Sequence, residues 1–170
     1  MSRTTPRARR QRQRGSSVLY VVVLSPVLLL SMALATEVGG LQMQKERIRA
    51  ALDQSTVVAA AAAARASGGV SIDRARAVAV MREVLAQNLA PLATAFDGSS
   101  ATSIAGDADV AVITDVPSPD PFDSTAVVRH PSIEVRVRVP LRTGLFAAAG
   151  LPPTETVTLL SSAALRETGP

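Results

Sequence analysis

Residues 16–36 read SSVLYVVVLSPVLLLSMALAT, twenty-one positions without a charge, with Arg14 in front and Glu37 behind. As an α-helix rising ~1.5 Å per residue the run is about 31 Å long, close to the ~30 Å hydrocarbon core of a bilayer. An uncharged apolar run of that length predicts a membrane span. Ahead of it stand Arg3, Arg7, Arg9, Arg10, Arg12 and Arg14, with no acid among them. Positive charge is retained on the cytoplasmic side of a span, which places everything after Thr36 across the membrane. The expected organisation is a basic cytoplasmic leader (1–15), a transmembrane helix (16–36), an Ala-rich extension helix (37–67) and an exported head (68–170).

The run has a second reading. Ala33-Leu34-Ala35 has the small-x-small form of a signal-peptidase site, with cleavage between Ala35 and Thr36 releasing the rest of the chain. The apolar part, Val18 to Ala35, is longer than the ~7–15 residues of a secretory signal core, which favours a retained span. A twin-arginine export signal does not fit, because Arg9-Arg10 is followed by Gln11-Arg12-Gln13.

Charge counted by region removes a nucleic-acid reading. The chain is net +4, but residues 15–170 hold 12 basic and 14 acidic side chains. The excess is confined to the leader, where it sets topology and suits contact with anionic lipid. With one tyrosine, three phenylalanines and no tryptophan, the rest has little on which a base could stack. No cysteine is present, so the head has to be held by an Ala, Val and Leu core and not by disulfides.

Past the span, Glu37 and Gly39-Gly40 mark its outer boundary, and Ser25 is placed to help satisfy backbone groups freed by Pro26. Leu41, Ile48, Leu52 and Ala59 then fall on one helical face. They are the candidate helix-packing residues, followed by a nearly all-alanine stretch from Val57 to Ala66 whose smooth surface suits close helix contact. Gly68-Gly69 ends this helix. Ser71 is the expected cap of a second helix, with Asp73 in its first turn, an apolar stripe of Val78, Met81, Leu85, Leu89 and Leu92, and a fraying end at Pro91. A loop of small residues is expected from Asp97 to Gly106.

The last third alternates as β-structure does. Strands are expected at 110–114, at Thr125–Arg129, at Ile133–Val139 with Pro140 ending it, and at Val157–Leu165. In Ile133–Val139 four apolar residues share one face and Glu134, Arg136 and Arg138 the other. Pro117, Pro119 and Pro121 forbid regular structure and make a stiff loop. The fold class is therefore α+β: a long N-terminal transmembrane helix continuing into an Ala-rich helix, a second helix, and a small antiparallel sheet of three or four strands.

Residues for chemistry are sparse. His130 is the only histidine, and no G-x-S-x-G, phosphate-binding glycine loop or paired-histidine motif occurs. The chain is not read as an enzyme and no cofactor is expected. Asp107, Asp109, Asp115, Asp120 and Asp123 gather around the proline loop and could hold calcium, which takes oxygen ligands from loops, but their spacing is not that of an EF-hand and no metal site is assigned.

The order of features resembles the TadE/TadG-like proteins of tight-adherence (Tad/Flp) pilus systems. The resembling parts are the basic leader ending in Arg14-Gly15, the apolar helix with Pro26, Glu37-Val38-Gly39 leading into LQMQKERIRAALDQSTVVAAAAAAR, and the C-terminal IEVRVRVPLRTGLFAAAGLPPTETVTLLSSAALRE. The resemblance implies a single-pass protein of the bacterial inner membrane, N-terminus cytoplasmic and head periplasmic or extracellular. It implies a part in the pilus or its assembly, as minor pilin or accessory protein. The implied partners are membrane lipid, other pilus proteins and further copies of the chain itself, with no nucleic acid. It also makes Gly15 and Ser16 a candidate prepilin-type processing site. Pilin-like members carry Glu at the fifth residue after that glycine, where this chain has Tyr20, so its N-terminus is closer to TadG-like members.

Overall fold

The computed structural model describes residues 7–66, 73–148 and 150–164, and the architecture is α+β. Residues cluster into two units, Met1–Gly40 and Leu41–Pro170. Helix α1 (Arg7–Ala66) contributes to both.

Between Tyr20 and Met32 α1 is apolar on every side. Tyr20, Val21, Val22, Val23, Leu24, Val27, Leu28, Leu29, Leu30 and Met32 are all exposed, and Leu29 keeps 67% of its surface. A helix apolar all round is stable in lipid or a large core, not as a bare surface in water. Ser25, Ser31 and Thr36 donate their hydroxyls to the carbonyls of Val21, Val27 and Met32. These three hydroxyls are thereby satisfied within the helix, as a hydrocarbon environment requires. Pro26 sits inside the helix, and the carbonyl it leaves without an amide donor is that of Val22. Ser25 bonds Val21 instead, so it does not make the repair expected of it.

The second unit is built on the remaining stretch of α1, α2 (Arg74–Leu89), a 3₁₀ turn (Ala90–Ala95), α3 (Ala101–Gly106), and strands β1 (Asp109–Ile113), β2 (Ser118–Pro119), β3 (Val127–Val128), β4 (Ser132–Arg142) and β5 (Thr154–Ala164), with a one-turn helix α4 (Gly144–Ala148) between the last two. The main sheet is antiparallel in the order β1-β4-β5, and β2 and β3 pair separately. The odd-numbered residues of β4 make its inner face. Ile133, Val135, Val137, Val139 and Leu141 are completely buried, each worth about 1.5–3 kcal/mol relative to exposure. They pack in one core with Ile48, Leu52, Ala59 and Ala63 of α1 and with Ala77, Met81, Leu85 and Leu89 of α2. One polar tie crosses between these helices: Asn88 Nδ2 donates to Ser55 Oγ at 3.0 Å, while Ser55 donates to the Ala51 carbonyl.

Several local expectations change. Asp73 is the N-cap of α2 and accepts from the Arg76 amide at 3.1 Å, a contact worth about 1 kcal/mol, while Ser71 lies outside the described residues. The buried row of α2 is Ala77, Met81, Leu85 and Leu89, at strict four-residue steps, and Val78 is only half-buried. Pro91 opens the 3₁₀ turn instead of fraying a helix end. The small-residue loop contains α3, which begins at a capping box of Ser100 and Ser103. Within the proline loop, Ser118-Pro119 pairs with Val127-Val128 as a short ribbon.

Pro140 does not end its strand. β4 runs on to Arg142, with Pro140 opposite Thr156 of β5. The Pro140 carbonyl accepts from the Asp97 amide at 3.0 Å, on the side away from β5. A strand residue's N and carbonyl oxygen share a side, so the donor that proline lacks falls where β5 does not need it. β1 covers β4 only over Ser132–Arg136, and Phe96 makes a single bridge to Leu141 further along. β5 is paired with β4 alone, and its other rim has no strand partner among the described residues.

Candidate functional site

Two surfaces stand out. The first is the apolar run of α1. Among the described residues one helix is long and apolar enough to cross a membrane, and its most apolar window has no buried residue. The candidate processing residues Gly15 and Ser16 lie in α1 with side chains outside the described ones, and Ala35 and Thr36 lie on an exposed part of the same helix. The candidate packing residues Leu41, Ile48, Leu52 and Ala59 are buried at 6%, 0%, 0% and 0% exposure in the core of the second unit. In this part of α1 the large apolar side chains left outward are Met43, Val57 and Val58.

The second surface is the outer face of the sheet. Antiparallel pairing sets even-numbered β4 residues in rows across it: Ile113–Ser132–Ala164, Ala111–Glu134–Ser162 and Asp109–Arg136–Leu160. Arg136 Nη2 and Nε bond Asp109 Oδ2 at 2.9 and 3.1 Å, and its guanidinium lies 4.8 Å from the centre of the Phe122 ring. Phe122 is thus held against this face by stacking on a cation that is itself fixed.

The turn around Phe122 is organised by two aspartates. Asp120 Oδ1 accepts from the amides of Phe122 and Asp123 at 2.7 and 2.9 Å. Asp123 Oδ1 accepts from the amide and hydroxyl of Thr125 at 2.9 and 2.7 Å, which holds the Asp123 carboxyl below its ordinary range, the hydroxyl bond first and the amide second. Such side-chain-to-backbone bonds let Asp mimic a turn and fix a loop that has no core of its own.

Glu134 is where the turn and the sheet meet. Alternation predicts it as a solvent-facing charge, yet it is only 8% exposed. Its carboxyl is pushed up to about 7, by burial first and then by the neighbouring Asp120 carboxylate. Two adjoining recesses open here: one of about 170 Å³ beside Asp120, Phe122, Asp123, Glu134 and Ser162, and one of about 280 Å³ reaching Arg129, His130 and Ser132. The Ser132 hydroxyl is buried in the second with no hydrogen-bond partner among the described residues.

The five aspartates do not assemble. Asp109 is taken by Arg136, Asp115 is fully exposed 3.9 Å from Arg74, and Asp107 caps α3, leaving Asp120 and Asp123 in the turn. Among the described residues no group of three or more His, Cys, Asp or Glu is arranged to hold a metal ion. Comparison with protein-family models, with curated proteins and with solved structures finds no match.

Proposed function

We propose that the chain is a single-pass, membrane-anchored structural or accessory protein of a Tad-type pilus, acting as a minor pilin or as a component of the assembly machinery, without enzymatic activity. The observation that carries this reading is the uncovered apolar run of α1 behind a leader of six arginines. The order of motifs that resembles the TadE/TadG-like family adds the pilus context. On this reading the N-terminus is cytoplasmic, the head is periplasmic or extracellular, and partners are lipid, other pilus proteins and further copies of the chain. An open strand rim on β5 and outward Val57 and Val58 supply surface for such contacts.

Leu28 lies near the middle of the run and is exposed. Leu28→Arg should raise the cost of membrane insertion by roughly 3 kcal/mol and move the protein from the membrane fraction to the soluble or degraded pool. Retention of the variant in carbonate-washed membranes at wild-type level would refute the anchor. Co-isolation of the tagged wild-type chain with no pilus or secretion component would refute the pilus role.

A released binding module is the second reading, and one observation favours it. The second unit begins at Leu41, so cleavage between Ala35 and Thr36 would leave its core residues intact. N-terminal sequencing of the exported protein separates the cases. A start at Met1 is expected for the anchor, at Ser16 for a prepilin-type subunit and at Thr36 for the released module.

A further inference from the structure

We propose that Asp120, Glu134 and Ser132 bind a hard divalent cation of calcium's size in the recess between the 118–129 turn and the outer face of the sheet. Two features of the site, independent of each other, point to a cation. Asp120 and Glu134 place two carboxyl groups on the lining of one recess, Glu134 with only 8% of its surface exposed. Two carboxylates on one recess repel each other, and a bound cation relieves that repulsion. The Ser132 hydroxyl, 5% exposed in the same recess, has no hydrogen-bond partner among the described residues. A buried hydroxyl left unmet costs about 1–3 kcal/mol, so its lack of a partner calls for a ligand. Protonation of Glu134 relieves that repulsion but leaves the hydroxyl unmet. An ion held by Glu134, the second oxygen of Asp120 and Ser132 Oγ meets all three.

The available local cations do not already fill this role. Arg136 is engaged by Asp109 and stacked on Phe122, and Arg129 is exposed at the rim. The three donors are oxygens, the ligand type of calcium and magnesium. Asp120 is preorganised through the two amides on its Oδ1, and Glu134 and Ser132 are fixed two residues apart on one strand face. The adjoining space of about 280 Å³ has room for an ion with several waters, at ~30 Å³ each. Few protein ligands on a turn, completed by water, suit the adaptable coordination of calcium better than the strict octahedron of magnesium. The third donor is a hydroxyl, which is why the group falls short of three acidic or imidazole ligands.

The test is calorimetric titration of the full-length protein in detergent, stripped with EGTA, against calcium chloride at neutral pH, with thermal unfolding as a check on folding. One saturable calcium site per chain is expected. Glu134→Gln and Asp120→Asn should each weaken it by at least about tenfold, the scale of even outer ligand losses. Ser132→Ala, which leaves both carboxyl groups in place, should weaken it severalfold, and Asp115→Asn, outside the recess, should leave it unchanged. Absence of saturable binding up to about 5 mM calcium, above the range of the weakest extracellular modules, overturns the proposal. Wild-type affinity in folded Ser132→Ala together with folded Glu134→Gln overturns it equally.

Discussion

Glu134→Gln is expected to abolish most of the loss of stability that the head undergoes between about pH 5 and about pH 8 with chelator present. In the folded chain the Glu134 carboxyl sits at about 7, against an ordinary value of 4.5. Between those values the folded state retains a proton that the unfolded state has released. The stabilising contribution is therefore complete below about 4.5 and is lost as pH rises through about 7. At about 1.4 kcal/mol per pH unit the gap corresponds to roughly 3 kcal/mol, a large share of a small domain's total. Glutamine keeps the shape of the protonated acid and a donor for Asp120, but cannot ionise. Urea unfolding followed at several pH values should show the two proteins equal near pH 4 and the variant more stable by up to that amount near pH 8. Asp120, Asp123, Arg129 and His130 share the recess and are present in both proteins, so the difference isolates Glu134. Parallel curves for the two proteins would show that Glu134 titrates at its ordinary value, and hence that the turn does not bury it.

Leu52→Ala should be the most damaging single truncation in the helical part of the head. Leu52 has no exposed surface and lies in the same core as Met81, Leu85 and the inner face of β4. Deleting a buried leucine side chain costs the transfer energy of its methyl groups plus the cavity left behind, about 2–5 kcal/mol. The core here is rich in alanine, which has no side-chain length with which to close a void, so a value in the upper half of that range is expected. Leu29→Ala is the control on the same helix. Leu29 is 67% exposed and is not part of the head's core, and its truncation should leave head unfolding unchanged within about 0.5 kcal/mol. Equal effects at the two positions would mean that α1 does not serve the head through Leu52.

The apolar helix and the long strand are legible in the sequence for the same reason: in each, one physical constraint acts on many consecutive residues. Lipid-length apolarity marks residues 16–36, and strict alternation marks 133–139, because one face of β4 is wholly buried. Glu134 is illegible by that logic. Its cover comes from Phe122 and Asp120, more than ten positions upstream in a segment whose prolines announce stiffness but not what the segment lies upon. A weak signal was present in Asp120-Pro121-Phe122-Asp123, where two turn-forming aspartates flank one of only three phenylalanines. A phenylalanine displayed on an Asp-braced turn needs a surface to rest against. Pro140 misleads for a different reason. Whether proline stops a strand depends on which side its missing donor falls, and that is fixed by the register with β5, a property of the pairing and not of the strand itself. Leu41, Ile48, Leu52 and Ala59 were legible as one packing face, but a helical face does not say whether its partner lies in the same chain.

The unpaired rim of β5 has a consequence of another kind. What it offers to a neighbour is backbone, a line of amide and carbonyl groups along eleven residues from Thr154 to Ala164. Side chains can be exchanged along such a line with little change in its capacity to bond, since every amino acid except proline brings the same two groups. Recognition written in the main chain tolerates sequence drift in a way that recognition written in side chains does not. A surface of this sort can stay adhesive while the residues on it diverge, and its restraint has to come from elsewhere: from strand length, from flanking prolines such as Pro152-Pro153, or from a partner that arrives first.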